Sequence, residues 1–119
     1  MPYIDPAELA VGRPRPGWEG RFFHSAHMTV AYYEIDPGAD VHPHHHPNEE
    51  IWNVVEGEVE VTIGDESRVV PAGQAAIVPA NVVHSVVART PSRVIIVDHP
   101  RREVVGGFDT GTAESSPGA

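Results

Sequence analysis

With 119 residues and a formal net charge of −9, the chain is long enough for one domain with its own core and too short for two. Its basic residues are all arginines and form no cluster larger than a pair, which argues against nucleic acid as a partner. The absence of lysine and cysteine excludes Schiff-base chemistry, disulfides and thiolate metal ligands. No apolar run is as long as a membrane span and the N-terminus is unlike a signal peptide, so we expect a cytoplasmic protein without a membrane partner.

The first part of the chain, residues 1–21, predicts a short helix followed by an irregular arm. Asp5 has the character of an N-cap, Pro6 suits the first helical turn, and Glu8 follows three residues after the cap. Frequent glycine and proline in residues 12–17 should end this helix within two or three turns.

From there to residue 109, the sequence is a series of short β-like runs separated by turn residues. The runs are Arg21–Phe23, Met28–Ile35, Ile51–Val55, Val59–Ile63, Arg68–Val70, Ala75–Val78, His84–Ala88 and Arg93–Asp98. Many short strands at this spacing predict an antiparallel sandwich or barrel over residues 22–109. The tail, residues 110–119, is composed mainly of small and polar residues, and we expect it to be disordered.

Several of these runs are apolar on both faces. Val54 and Val55 are neighbours, and Val94 to Val97 is apolar throughout. Since a strand of a sandwich has only one interior face, the other face needs a cover. A second copy of the chain is the simplest cover, and we expect a homodimer.

Four of the eight histidines lie between Gly38 and Gly57. His44 and His46 are two residues apart, so on an extended strand both side chains point to one side, about 6 to 7 Å apart. Glu50 follows the bend expected at Pro47 and can return a carboxylate to the same point. This arrangement predicts a metal-ligand group.

The complete spacing of this stretch resembles the first motif of the cupin family. Five residues separate Gly38 from His44, one separates His44 from His46, three precede Glu50, and six more precede Gly57. Every fixed position of that motif is matched.

The second cupin motif is matched by Gly73, Pro79 and His84. Asn81 stands where this motif usually has its second glycine, and Ala88 stands where it usually has its final asparagine. Asparagine tolerates the left-handed backbone of such a turn, so the first departure is mild. The second departure affects the local turn or the polarity of the pocket.

The resemblance, which covers roughly Met28 to Asp98, implies an all-β fold: a double-stranded β-helix, or jelly-roll, cupin barrel with a metal in its mouth. The ligands that it implies are His44, His46, Glu50 and His84. Three imidazoles and one carboxylate leave one or two coordination positions open, and Mn, Fe, Ni, Cu and Zn all accept this set. We therefore expect one divalent transition metal.

Four further residues are candidates for the substrate pocket. His42 is expected at the mouth or as a hydrogen-bond donor behind a ligand, whereas His45 should point to the opposite side. If Glu50 points into the barrel, Trp52, two residues later on the same strand, points inward as well, so it belongs either to the pocket wall or to the core. Of Tyr32 and Tyr33, one must face inward, and the sequence does not say which.

A residual positive charge inside an apolar barrel favours a small substrate with an anionic oxygen. Similarity to small single-domain cupins implies a dioxygenase, isomerase, lyase or cyclase that uses Lewis-acid or O2 chemistry. A non-catalytic cupin that binds or senses a sugar or another small molecule is the alternative. No residue is assigned as the catalytic acid or base.

Overall fold

The computed structural model describes residues 2–102, within which the chain forms nine β-strands and one short 3-10 helix, Pro6–Glu8. The strands are β1 (Trp18–His24), β2 (Thr29–Ile35), β3 (Asp40–His44), β4 (Glu49–Glu56), β5 (Glu58–Ile63), β6 (Glu66–Pro71), β7 (Ala75–Val78), β8 (His84–Ala88) and β9 (Ser92–His99). The predicted tail and the last seven residues of the predicted barrel lie outside the described residues. Across residues 2–102, no helix has the length and apolar character needed to cross a membrane.

The strands form two antiparallel sheets. One has five strands in the order β1-β2-β9-β4-β7, and the other has four in the order β3-β8-β5-β6. From β2 onward, the chain changes sheet at every connection except the one between β5 and β6. This is the path of a jelly roll, so the prediction of an all-β jelly-roll fold is confirmed.

The core lies between the inner faces of the two sheets, and three aromatic rings pack there edge to face. Trp18 lies 5.1 Å from Tyr33 and 6.1 Å from Trp52, measured between ring centroids. Along β9, Val94 and Ile96 are buried and alternate with more exposed residues, as expected for a strand with one interior face. This packing forms an apolar core next to the buried polar residues of the barrel, which include His46, Glu50 and His84.

Three local predictions differ from the structure. The N-terminal helix is a single 3-10 turn because none of its residues is buried, so no packing extends it beyond the cap that Asp5 provides. β1 begins at Trp18, within the stretch predicted as an irregular arm. β3 was not predicted because it contains Pro43; it lies at the edge of its sheet, where a missing backbone N–H is tolerated.

Two motif positions have the backbone conformation that their residue types favour. Asn81, at the usual glycine position, has a φ of 63°, in the left-handed region that asparagine tolerates. Gly57, between β4 and β5, has a φ of 76°. A Cβ atom there would collide with the carbonyl oxygen of Pro91 and lie 2.6 Å from Ser92 Oγ. Gly57 is therefore required both by conformation and by space.

We expect Gly57→Ala to destabilise the protein more than Gly64→Ala, its matched control. Gly64 has a φ of 61°, but a Cβ there would meet nothing within 4 Å. Both variants carry the left-handed penalty of about 1 kcal/mol, while Gly57→Ala adds an overlap that costs about 1–3 kcal/mol. Urea unfolding measures the difference. Equal losses of unfolding free energy in the two variants would contradict the packing described at Gly57.

Candidate metal centre

The predicted ligands converge at one end of the barrel. His44 ends β3 and His84 begins β8, and their Cα atoms are partners across the two strands. His46 follows β3, and Glu50 is the second residue of β4. One ligand nitrogen from each of the three histidines lies within 4.8 Å of the other two. The Glu50 carboxylate lies 3.6 Å from His46 Nε2 through Oε2 and 3.5 Å from His84 Nε2 through Oε1.

A bulge in β3 directs His44 into the barrel. The register between β3 and β8 shifts between Val41 and His44. Val41 is buried in the core, and an unbroken strand would turn a residue three positions later to the outer face. The extra residue reverses this alternation and allows both Val41 and His44 to face inward.

Each of the three histidines is oriented by a backbone carbonyl two residues away. The Nδ1 atom of His44 lies 2.8 Å from the oxygen of His42, that of His46 lies 3.1 Å from the oxygen of Asn48, and that of His84 lies 2.9 Å from the oxygen of Val82. Because a carbonyl oxygen only accepts, each Nδ1 must carry the proton. In the neutral ring, Nε2 then holds the lone pair, which is the form that binds a metal.

The local environment keeps His46 neutral. Burial, together with the positive charge of Arg102 and the neighbouring His84 and His44, lowers the pKa of His46 to about 3. Its Nε2 atom is buried and makes no hydrogen bond with any described residue. A buried polar atom of this kind requires a partner such as an ion.

The donor set fits a divalent transition metal. Metal bonds to imidazole nitrogen and carboxylate oxygen are about 2.0–2.2 Å long, which places ligands on one metal about 3–4 Å apart. The separations between Glu50 and the two imidazoles fall in that range. The cluster of histidine and glutamate can therefore hold an ion, and its nitrogen and oxygen donors are compatible with Mn, Fe, Ni, Cu or Zn.

Glu50 is fully buried and held by three neighbours. Trp52 Nε1 donates a hydrogen bond of 2.8 Å to Oε1 of Glu50. The carboxyl group of Asp98 lies within 4.8 Å of that of Glu50, and Arg102 Nη1 lies 3.4 Å from Oε2. Burial raises the pKa of Glu50, although these three neighbours each act to lower it. A divalent cation would add to their effect and favour the ionised carboxylate.

Asp98 and Arg102 are site residues that the sequence reasoning missed. Asp98 faces Glu50 directly across β4 and β9, and burial, with the charge of Glu50, raises its pKa. His46, Glu50 and Asp98 together form a second group whose ligand atoms lie within 4.8 Å of one another. The sequence does contain one indication of Asp98. By strand alternation, Asp98 points to the same interior side as Val94 and Ile96, and an acidic residue at an interior position of an apolar strand is unusual. For Arg102 the sequence contains no comparable signal.

The four candidate pocket residues occupy different places. Trp52 is fully buried and supports Glu50, so it joins the core and the site together. Tyr33 is the inward tyrosine, with its hydroxyl pKa raised by burial, whereas Tyr32 lies on the outer face with its ring 6.2 Å from that of Phe23. His42 is exposed and lines a groove, and its ring lies 5.6 Å from that of His44, measured between centroids. Its carbonyl oxygen accepts the hydrogen bond from His44 Nδ1.

Residues 31–99 match the family model described as the cupin domain. The match covers more than half of the chain and includes both spaced motifs. The chain belongs to the cupin family.

Curated proteins and solved structures similar to this chain include an isomerase. The chain is 38% identical over 68 residues to the H2HPP isomerase of Bacillus subtilis, covering 56% of this chain and 29% of that protein. It is 33% identical over 64 residues to protein SCO3923 of Streptomyces coelicolor, covering 54% of this chain and 61% of that one. It therefore spans less than two thirds of the length of either relative. The structure of KdgF from Halomonas sp. superposes with a TM-score of 0.81 at 29% identity, covering 87% of this chain and 96% of KdgF.

We expect Trp52→Phe to weaken metal binding about tenfold, because a group that orients a ligand typically has an effect of this size. The variant keeps an aromatic ring but removes the donor to Glu50 Oε1. Trp18→Phe is the matched control, since it removes a 3.1 Å hydrogen bond to the carbonyl of Asp40. Titration of the metal-depleted proteins with zinc, in competition with a chelating dye, compares their affinities. Equal weakening in both variants would mean that Trp52 acts through general stability.

Proposed function

We propose that this cupin is a metal-dependent enzyme that acts on a small, oxygenated, anionic or enolisable organic substrate. The ligands would be His44, His46, Glu50 and His84, and the expected compartment is the cytoplasm. The observation that carries the proposal is the shared orientation of the three imidazoles, each held through Nδ1 with Nε2 on the side of the site. Similarity to an isomerase and to KdgF supports an enzyme within the family.

Each part of the site has a role in this proposal. A divalent transition metal supplies a Lewis acid at this position, and a redox-active one adds chemistry with O2. The three Nδ1 hydrogen bonds fix the imidazoles, so little reorganisation is needed during the reaction. Trp52 holds the Glu50 carboxylate, and the apolar surroundings exclude water and strengthen local electrostatic interactions. Asp98, whose pKa is raised by burial and by the charge of Glu50, can hold a proton on its carboxyl group.

The competing hypothesis is a cupin that binds or senses a small molecule without converting it. Three buried or nearly buried charged residues, Glu50, Asp98 and Arg102, favour catalysis. Burying charge in a small barrel lowers stability, and such clusters of perturbed groups are typical of active sites.

The decisive experiment combines metal loading with two assays. The protein would be depleted of metal, loaded separately with Mn²⁺, Fe²⁺, Ni²⁺, Cu²⁺ or Zn²⁺, and incubated with 2-oxo acids, enols, diketones and uronic acids. Proton NMR in D2O detects enolisation or isomerisation, and an oxygen electrode detects dioxygenase chemistry. We expect turnover with at least one metal and none with His84→Ala. Binding of a compound without turnover under any loading would favour the sensing hypothesis.

We expect His84→Ala and Glu50→Gln to lose most of their bound metal, whereas His45→Ala retains it. The first two remove proposed ligands, whereas His45 is exposed and is expected from the alternation of the strand to point away from the site. Elemental analysis after loading and desalting gives the metal content per chain. A comparable loss of metal in all three variants would show that the side-chain directions assigned to the histidines are wrong.

We also propose that the outer face of the five-stranded sheet packs against a second copy of the chain. One apolar row crosses all five strands through partners in register: Phe23, Val30, Val97, Ile51 and Ile77. Ile77 is 60% exposed. The other four residues of the row are half-buried, and an apolar row across a whole sheet suits packing of one sheet on another.

We expect Val30→Arg to convert a dimer into a monomer in light scattering at micromolar concentration, because it places a charge in the middle of the apolar row. Val69→Arg is the control, since Val69 is 41% exposed and lies on the other sheet. A wild-type protein that is already monomeric at this concentration would contradict the proposed assembly.

A further inference from the structure

The four proposed metal ligands differ in their access to solvent. Glu50 and His84 are buried almost completely, and His46 is 9% exposed. His44 is half-buried, which makes it the most exposed of the four. An ion that enters the folded barrel from solvent therefore meets His44 before it meets the other three ligands.

His44 lies on β3, which is an edge strand of the four-stranded sheet. Among the described strands, β3 pairs with β8 alone, so one side of β3 is not covered by a further strand of its sheet. His42, two residues earlier on β3, is exposed and lines a groove of about 270 Å³. The sheet edge therefore leaves an imidazole accessible from solvent directly beside the most exposed proposed ligand.

The ring of His42 lies as close to His44 as the ring of another proposed ligand does. The centroids of His42 and His44 are 5.6 Å apart, and the two ring planes are tilted by 52°. The centroids of His44 and His46 are 5.5 Å apart, with a tilt of 49°. Exposed side chains change rotamer on the picosecond to nanosecond timescale. A small rotation of the exposed His42 ring is therefore enough for the two rings to contact the same ion.

The ring of His42 has no evident structural role. Within residues 2–102 it makes no hydrogen bond or ion pair. The group of His42 that orients His44 is the backbone carbonyl, which accepts the hydrogen bond from His44 Nδ1. Any side chain at position 42 keeps that carbonyl. A change of the ring alone therefore leaves the support of His44 in place.

The charges around His42 favour an incoming cation. Asp40 and Glu60 line the same groove, and Glu60 forms an ion pair with Arg89. The whole chain has a formal net charge of −9. A negative potential raises the local concentration of cations and the rate at which they encounter the surface. Imidazole, in turn, is a common ligand of divalent transition metals.

We propose that His42 is the entry ligand of the metal centre: its imidazole binds the incoming divalent ion at the edge of β3 and passes it to His44 by ligand exchange. An ion that loses all its water at once has a high desolvation cost, and stepwise replacement of water by His42 and His44 lowers that barrier. His42 is absent from the final coordination sphere. It therefore speeds entry and exit by the same factor and leaves the equilibrium affinity unchanged. This inference rests on the proposed function, because it assumes a metal held by the three histidines and Glu50.

The test compares the rates and the equilibrium of cobalt binding. Stopped-flow mixing of metal-depleted protein with excess Co²⁺ measures uptake through the visible spectrum of the bound ion, and mixing of loaded protein with excess EDTA measures release. We expect His42→Ala to slow both rates about tenfold, equivalent to about 1.4 kcal/mol in each barrier, with the affinity kept within about twofold. His45→Ala is the matched control, because His45 is also exposed and lies between two proposed ligands in the sequence. Both of its rates should equal those of the wild type.

His42→Phe provides a second variant, since it keeps a ring beside His44 but has no atom that binds a metal. We expect it to be as slow as His42→Ala. Wild-type rates in His42→Phe would assign the effect to ring packing and overturn the proposal.

Three further results have distinct meanings. Weaker cobalt affinity with faster release in His42→Ala would make His42 a lasting ligand or a structural support, and would overturn the proposal. Unchanged uptake in His42→Ala, or a wild-type uptake rate that does not rise with cobalt concentration, would also overturn it. A wild-type protein that binds no cobalt would instead refute the proposed metal centre, and the inference with it.

Discussion

The candidate centre depends on one repeated interaction, the hydrogen bond between a histidine Nδ1 and a backbone carbonyl two residues away. It occurs at His44, His46 and His84, and it selects the tautomer whose Nε2 carries the lone pair. The carbonyls are fixed by β3, by the loop after it and by the approach to β8. The backbone thus determines which nitrogen of each imidazole faces the site, because a shift of any of these three segments would change both the direction and the tautomer of an imidazole.

The strand register assembles these parts from distant positions in the sequence. His44 and His84 are partners across β3 and β8, while Glu50 and Asp98 are partners across β4 and β9. Each pair belongs to a different sheet, so the site lies where the two sheets face each other. The bulge before His44 and the hydrogen bond from Trp52 to Glu50 adjust the side chains within this frame. The interior is apolar below the site and charged within it, and such departures from ordinary core composition are expected at functional positions.

Much of this arrangement could be predicted from the sequence, because two motifs with fixed spacing identify the fold and four candidate ligands. The inward facing of Tyr33 rather than Tyr32 depends on register, which alternation alone does not determine. The inward position of His44 depends on a bulge that adds one residue to β3, and nothing in the sequence marks that insertion. Arg102 follows the last strand, and hydrogen bonds from Asn48 to Pro100 and from Arg102 to Thr29 hold this segment beside the site. Contacts between segments so far apart in sequence appear only in the folded chain.

In the proposed centre, three imidazoles and one carboxylate of a single chain bind one metal. X-ray absorption spectroscopy of the metal-loaded protein can measure this, because the outer-shell scattering of imidazole rings gives the number of histidine ligands. We expect three imidazoles, with oxygen atoms completing the first coordination shell and no sulfur. A fit that requires one imidazole or none, in a protein with one bound metal per chain, would rule this centre out.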